Sequence, residues 1–221
     1  MKKWTTVEQA LTGDGKTISL EEHDGSYTIR VDRVPLMSTR QHASEEKLAQ
    51  LACTYLERKA DARVLIGGLG FGFTLRATLA ALGPQAGVVV AEVLDQVIEW
   101  NRNPAYPLAA DALADARVIV LHRDVADVIR AERGGFDAIM LDVDNGPDAL
   151  AMEGNRRLYD SPGLKLARAA LRPAGSVAFW SATRDAAFEQ LLARAGFNVE
   201  VHPCRSGPHG GTRHTIYVGR L

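Results

Sequence analysis

The segment that most constrains this chain is Val64-Leu65-Ile66-Gly67-Gly68-Leu69-Gly70-Phe71-Gly72-Phe73-Thr74-Leu75-Arg76, an apolar strand running into a glycine cluster and then a helix start. Glycines at 68, 70 and 72 let the backbone turn sharply and approach a ligand closely, while the helix N-terminus presents unpaired N–H groups. A tight turn with no ligand would read the same way, so the segment needs support from its surroundings. That support begins with periodicity. After Arg63, short apolar runs alternate with amphipathic stretches, which is how a parallel sheet covered on both faces reads in sequence. The spacing predicts strands at Val64–Gly67, Val88–Ala91, Val118–Leu121, Ala138–Leu141 and Ser176–Trp180, with helices near 73–82, 94–102, 124–133, 157–171 and 184–195.

Both ends of the chain depart from this alternation. Asn198–His202 and His214–Val218 are joined by a Gly/Pro-rich loop too short for a crossover helix, so they are expected to pair as an antiparallel hairpin. Near the start, Thr17–Leu20 and Tyr27–Val31 flank the turn Asp24-Gly25-Ser26 and read as a β-hairpin. From Ser44, a candidate N-cap, to about Ala60, Leu48, Leu51, Ala52, Tyr55 and Leu56 recur at helical spacing. The expected division is an N-terminal hairpin segment over 1–43 and one α/β domain over 44–221.

Two acids extend the glycine signal. Glu92 lies twenty residues beyond Gly72 at the end of the next strand, where a carboxylate can accept both hydroxyls of a ribose. Val93 follows it. The third strand ends in Leu121-His122-Arg123-Asp124-Val125, placing Asp124 at the same edge, as an acceptor for an adenine amino group, as the N-cap of the next helix, or as both. A dinucleotide fingerprint would need its third glycine one position later, and Phe73 stands there. The terminal antiparallel hairpin points instead to a methyltransferase-type sheet.

The chain from about Val64 onward resembles the spermidine synthase family, within the class I methyltransferase superfamily. The likeness is carried by the glycine turn with Leu75-Arg76, by Glu92 and Asp124, by Phe136-Asp137-Ala138-Ile139-Met140-Leu141-Asp142, by Leu158-Tyr159 to Gly175, and by Ser206-Gly207 to Tyr217. It implies a Rossmann-like, doubly wound, mostly parallel seven-stranded sheet. It also implies a homodimer and an S-adenosylmethionine or decarboxylated S-adenosylmethionine site built from Gly68, Leu69, Gly70, Gly72, Glu92, Val93, Asp124, Val125 and Asp142. In that likeness Asp142, assisted by Asp144, orients and deprotonates a small-molecule amine, and aminopropyl transfer releases methylthioadenosine. Asp148 and Glu153 add negative charge nearby or are simply solvated. Phe71 stands where the family keeps an aspartate, and the loop reads Asp142-Val143-Asp144-Asn145-Gly146-Pro147 where the family has Asp-Ser-Ser-Asp-Pro. Glu45-Glu46 loosely echoes the family's acidic substrate-enclosing motif. Methyl transfer on the same scaffold, or nucleoside binding without turnover, are the alternatives.

Composition narrows the partners. With 26 Lys and Arg against 27 Asp and Glu, the net charge of -1 gives no electrostatic footprint for nucleic acid or a membrane surface. No apolar run is long enough to span a bilayer, and the start lacks a signal-peptide stretch, so a cytoplasmic location is expected. Cys53 and Cys204 stand apart, and neither they nor the six histidines show metal-ligand spacing, so no metal is expected. Arg205, His209, Arg213 and His214 gather in the closing hairpin, either as a solvated tip or as a group suited to an anion.

Overall fold

The computed structural model describes residues 3–13, 15–143, 155–207 and 210–221. Two compact units are present, Met1–His42 and Ala43–Leu221. In the first, β1 (Thr5–Leu11), β2 (Thr17–His23), β3 (Ser26–Val31) and β4 (Val34–Ser38) form an antiparallel sheet in that order. The expected hairpin is its centre, β2–β3, with Asp24 and Gly25 at positive φ in the turn. The outer strands escaped the sequence reading because β1 is largely exposed and β4 carries Pro35, which suits only an edge strand.

The second unit opens with α1 (Ala43–Cys53), followed by β5 (Arg63–Gly67), α2 (Phe73–Ala81), β6 (Gly87–Glu92), α3 (Asp95–Arg102), a short α4 (Ala110–Leu113) and β7 (Val118–His122). Then come α5 (Val125–Ala131), β8 (Phe136–Leu141), α6 (Arg156–Tyr159), α7 (Ser161–Ala170), β9 (Leu171–Ser181), α8 (Ala186–Arg194), β10 (Asn198–Gly207) and β11 (Gly210–Arg220). The sheet order is β10-β11-β9-β8-β5-β6-β7, with β5 to β9 parallel and β10 and β11 a hairpin that joins antiparallel to β9. This is the expected mostly parallel seven-stranded sheet with its antiparallel C-terminal hairpin.

Three boundaries differ from expectation for local reasons. Helix α1 stops at Cys53, seven residues early, and the chain turns through 54–60. Ser44 lies inside α1 and its hydroxyl donates to Glu45 Oε2 at 2.6 Å, so it does not serve as the N-cap. The single helix expected over 157–171 breaks at Asp160, whose carboxylate caps α7 by accepting from Gly163 N at 2.7 Å, with Pro162 in the first turn.

Side-chain alternation assigns the faces. Ile139, Leu141, Val177, Phe179 and Tyr217 pack in one cluster with residues of α5, α7 and α8. There Phe188 meets Phe179 and Tyr217 edge-on, with centroids 5.0 and 5.2 Å apart. The even positions face the other way: Ser176 Oγ donates to the Ala52 carbonyl of α1 at 3.4 Å, and Thr78 of α2 lies 3.7 Å from Met140 Sδ. At the N-terminal end of the parallel strands Asp137, only 4% exposed, accepts from Lys59 Nζ at 2.6 Å, Arg63 N at 2.8 Å and Arg172 Nη1 at 2.8 Å. No helix among the described residues is long and apolar enough to cross a membrane.

Candidate functional site

Four neighbouring parallel strands, β8, β5, β6 and β7, end together, and hydrogen bonds continue past their ends. Asp142 N donates to Gly67 O at 2.9 Å, Gly68 N to Ala91 O at 2.9 Å, and Arg123 N to Glu92 O at 3.0 Å. The chain ends of the strands are therefore held in register, each about 4.8 Å from the next, so the edge from Asp142 to Asp124 spans roughly 15 Å.

The glycine bend is built for close approach to its neighbours. Gly68 has φ +89° and lies so near β8 that a Cβ there would sit 2.3 Å from the Asp142 carbonyl oxygen. Gly72, at φ +76°, forms the N-cap of α2, and a Cβ would sit 2.5 Å from Ala109 Cβ. Asn101, fully buried, fastens the bend from behind by donating from Nδ2 to Gly70 O and Val97 O, both at 2.8 Å. Sequence alone gave no sign of that anchor.

Glu92 is 7% exposed and accepts from three backbone amides: Leu69 N at 2.8 Å on Oε2, and Val93 N at 2.8 Å and Leu94 N at 2.9 Å on Oε1. Burial raises its pKa, while these amides and the nearby His122 act in the opposite sense. With about four lone-pair positions on a carboxylate and three engaged, one remains on Oε2, facing the glycine bend. Val93 beside it is 42% exposed, an apolar side chain open at the mouth of this edge.

Asp124 caps α5 through Ala126 N at 2.8 Å and pairs its other oxygen with Arg157, while Val125 is buried in the α5-side cluster. Phe71 is also buried, at 4% exposure. Asp144, Asn145, Asp148, Glu153 and His209 lie outside the described residues. Among the described residues no group of three or more His, Cys, Asp or Glu side chains could hold a metal ion.

At the β8 end the structure joins two carboxylates that the sequence leaves separate. Thr74, in the first turn of α2, donates to Asp142 Oδ2 at 2.9 Å, and its hydroxyl lies 3.5 Å from the Glu45 carbonyl of α1. Burial first, and then the Asp142 charge, push the Glu45 pKa up to about 7; burial pushes Asp142 up to about 6, with the Thr74 bond opposing. Proton uptake by this pair favours the folded state, because raised carboxylates bind more protons folded than unfolded. Their contribution is complete below the ordinary carboxylate range and is lost as pH rises through about 6 to 7. Thermal melts are therefore expected to show stability from this source falling as pH rises across that window. Glu45→Gln is expected to flatten the fall, and an unchanged profile would show the pair to be inert.

No protein-family model matches the chain. In sequence it is 28% identical over 176 residues to the polyamine aminopropyltransferase of Leptospira biflexa serovar Patoc, covering 76% of this chain and 53% of that protein. The chain thus spans about half the length of the curated relatives it matches. Among solved structures, spermidine synthase from Thermotoga maritima aligns with a TM-score of 0.76 at 18% identity, over 97% of this chain and 72% of that one. A spermidine synthase in complex with the transition-state analogue AdoDATO aligns with a TM-score of 0.75 at 18% identity, with the same coverage. A probable spermidine synthase from Corynebacterium glutamicum aligns at 0.66 and 16% identity, over 98% and 79%. The chain thus shares the fold of the spermidine synthases and, over about three quarters of its length, is similar in sequence to a polyamine aminopropyltransferase.

Proposed function

We propose that this protein transfers an aminopropyl group from decarboxylated S-adenosylmethionine to a small amine, releasing methylthioadenosine. The observation that carries the reading is the shared edge itself: a glycine bend, a buried acceptor carboxylate and a carboxylate pair on adjacent strand ends, on a chain similar to an aminopropyltransferase. The nucleoside fits what is present. Glu92 keeps one oxygen lone pair for a ribose hydroxyl after tying down Leu69, Val93 offers an apolar surface for a purine, and Asp124 stands one strand further along for its amino group.

The donor supplies an electrophilic carbon beside a sulfonium sulfur, so that when an amine attacks, the carbon–sulfur bond breaks and its electron pair stays on sulfur as a neutral thioether. The chain's own groups do the rest. Ionised Asp142 takes the proton that frees the amine lone pair, Thr74 fixes the carboxylate's orientation by its hydrogen bond, and Glu45 adds a second negative charge against two cations brought together. Phe71 puts a buried apolar side chain in the glycine bend where the resembled family keeps an aspartate. A cytoplasmic homodimer accompanies this reading.

Incubation with decarboxylated S-adenosylmethionine and a panel of amines, read as methylthioadenosine release, tests the proposal. Release dependent on amine is expected; methyl transfer from the intact donor, with no thioether formed from the decarboxylated one, would replace it by the methyltransferase alternative. Glu92→Gln puts an N–H donor opposite a backbone N–H, and is expected to weaken methylthioadenosine binding by about tenfold or more in calorimetry.

A further inference from the structure

Asp124, at the far end of the strand-end edge, makes two hydrogen bonds of different kinds. Its Oδ1 caps α5 by accepting from Ala126 N at 2.8 Å, and its Oδ2 accepts from Arg157 Nη2 of α6, 33 positions later in the chain. An ionised carboxylate has about four lone-pair positions and donates nothing, so with these two engaged Asp124 still offers acceptors only. Its side chain is 27% exposed, which leaves those positions open to a ligand at this edge.

The Arg157 bond adds little to the fold. The helix cap rests on Oδ1 and stands without Arg157. Helix α6 is pinned by the two residues that follow, the buried Leu158 and Tyr159, with the Tyr159 ring centroid 5.5 Å from those of Phe179 and Phe188. Arg157 itself is 42% exposed, and ion pairs so open to water contribute little to stability. What the bond does set is direction. Rotation about the Cβ–Cγ bond of an aspartate is broad and roughly two-fold, so a cap on Oδ1 alone leaves the plane of the carboxylate free to rock. A second donor on Oδ2, from a planar guanidinium whose backbone is anchored by core neighbours, removes that freedom.

Direction decides what such an acceptor can read. A purine with a 6-amino group brings a donor to this edge, and one with a 6-oxo group brings an acceptor. Against a carboxylate held in place, the amino group is satisfied and the oxo group sets oxygen against oxygen. Against a carboxylate free to turn, the oxo group is relieved and the difference shrinks.

We propose that Arg157 is the positioning residue that makes this site selective for a 6-aminopurine, by holding Asp124 Oδ2 toward the base. The inference rests on the nucleoside placement above and adds to it the residue that sets base specificity.

Calorimetry with methylthioadenosine and methylthioinosine, which differ at the purine 6 position, tests it on the parent protein, Arg157→Met and Arg157→Lys. Methionine keeps an apolar stem beside the cleft that Arg157 borders with Ala126, Ile129 and Leu158. The parent is expected to prefer the amino nucleoside by about tenfold or more. Arg157→Met is expected to cut that preference to about twofold at an unchanged melting temperature, and Arg157→Lys, which restores a donor, to recover part of it. A preference that survives Arg157→Met intact or widens overturns the assignment, as does equal binding of the two nucleosides by the parent. In each of those cases methylthioadenosine still binds and the nucleoside placement stands. If the parent binds neither nucleoside, the placement itself falls, and the role of Arg157 with it.

Discussion

Replacing Asp142 with asparagine is expected to lower methylthioadenosine release by about 10³-fold, the loss characteristic of removing a positioned general base. The same change is expected to leave the fold intact and to raise the melting temperature at alkaline pH. Asn keeps an oxygen for the Thr74 hydroxyl, and it removes a carboxylate that burial already holds at a pKa of about 6 and whose charge raises Glu45. A variant that is both inactive and more stable is the signature of a group kept for chemistry at the expense of the fold. A variant that melts lower, or that turns over at more than a tenth of the parent rate, would contradict the role given to Asp142.

Asp137→Ala, five residues away in sequence but at the opposite end of the same strand, is expected to do the reverse. Its carboxylate, 5% exposed, ties together Lys59, the Arg63 backbone and Arg172, and so joins the segment after α1, the start of β5 and the start of β9. Lys59 and Arg172 are 38% and 30% exposed and can turn to solvent, whereas the Arg63 amide at the head of β5 loses its acceptor. Breaking a largely buried ionic network costs roughly 3–5 kcal/mol, and this partial exposure of the cations reduces the expectation to about 2–3 kcal/mol. For a chain of this size that is a fall of roughly 5–10 °C in melting temperature. Below the melting transition, methylthioadenosine binding is expected to survive, because no atom of the network lies at the glycine bend. Loss of binding in folded Asp137→Ala would show that the two ends of the sheet are coupled.

The parts of this molecule that were readable in sequence are those in which local chemistry and long-range placement agree. An apolar strand followed by glycines has few folded solutions, and a strand-end acid such as Glu92 is carried to the ligand edge by the parallel topology itself. The break at Asp160 was readable too, from an acid followed by Ser161-Pro162, but helical periodicity on both sides hid it. Glu45 was noticed beside Glu46, but its pairing with Asp142 was hidden for a different reason. An acid in the first turn of a helix is ordinarily explained by the helix dipole, and only the packing of α1 on α2 and the sheet turns it toward Asp142. Trp180 read as one more apolar strand residue, and His214, whose ring centroid lies 4.6 Å from that of Trp180, is 34 positions later in the chain. Asp137 carried no signal of its own, since it lies just before the expected strand Ala138–Leu141 and its partners at 59, 63 and 172 come together only when the sheet forms.

Strand β10 touches the rest of the sheet only through β11, which is itself held by β9. Opening the one hydrogen-bonded seam between β9 and β11, with Tyr217 leaving the core, would release residues 198–207 and 210–220 as one flap while the parallel strands keep every ladder they have among themselves. Amide exchange would register this as a separate cooperative unit of lower opening energy. Trp180 would stay behind and His214 would leave with the flap, so the two rings part in that event, while β5 to β8 remain assembled to await its return.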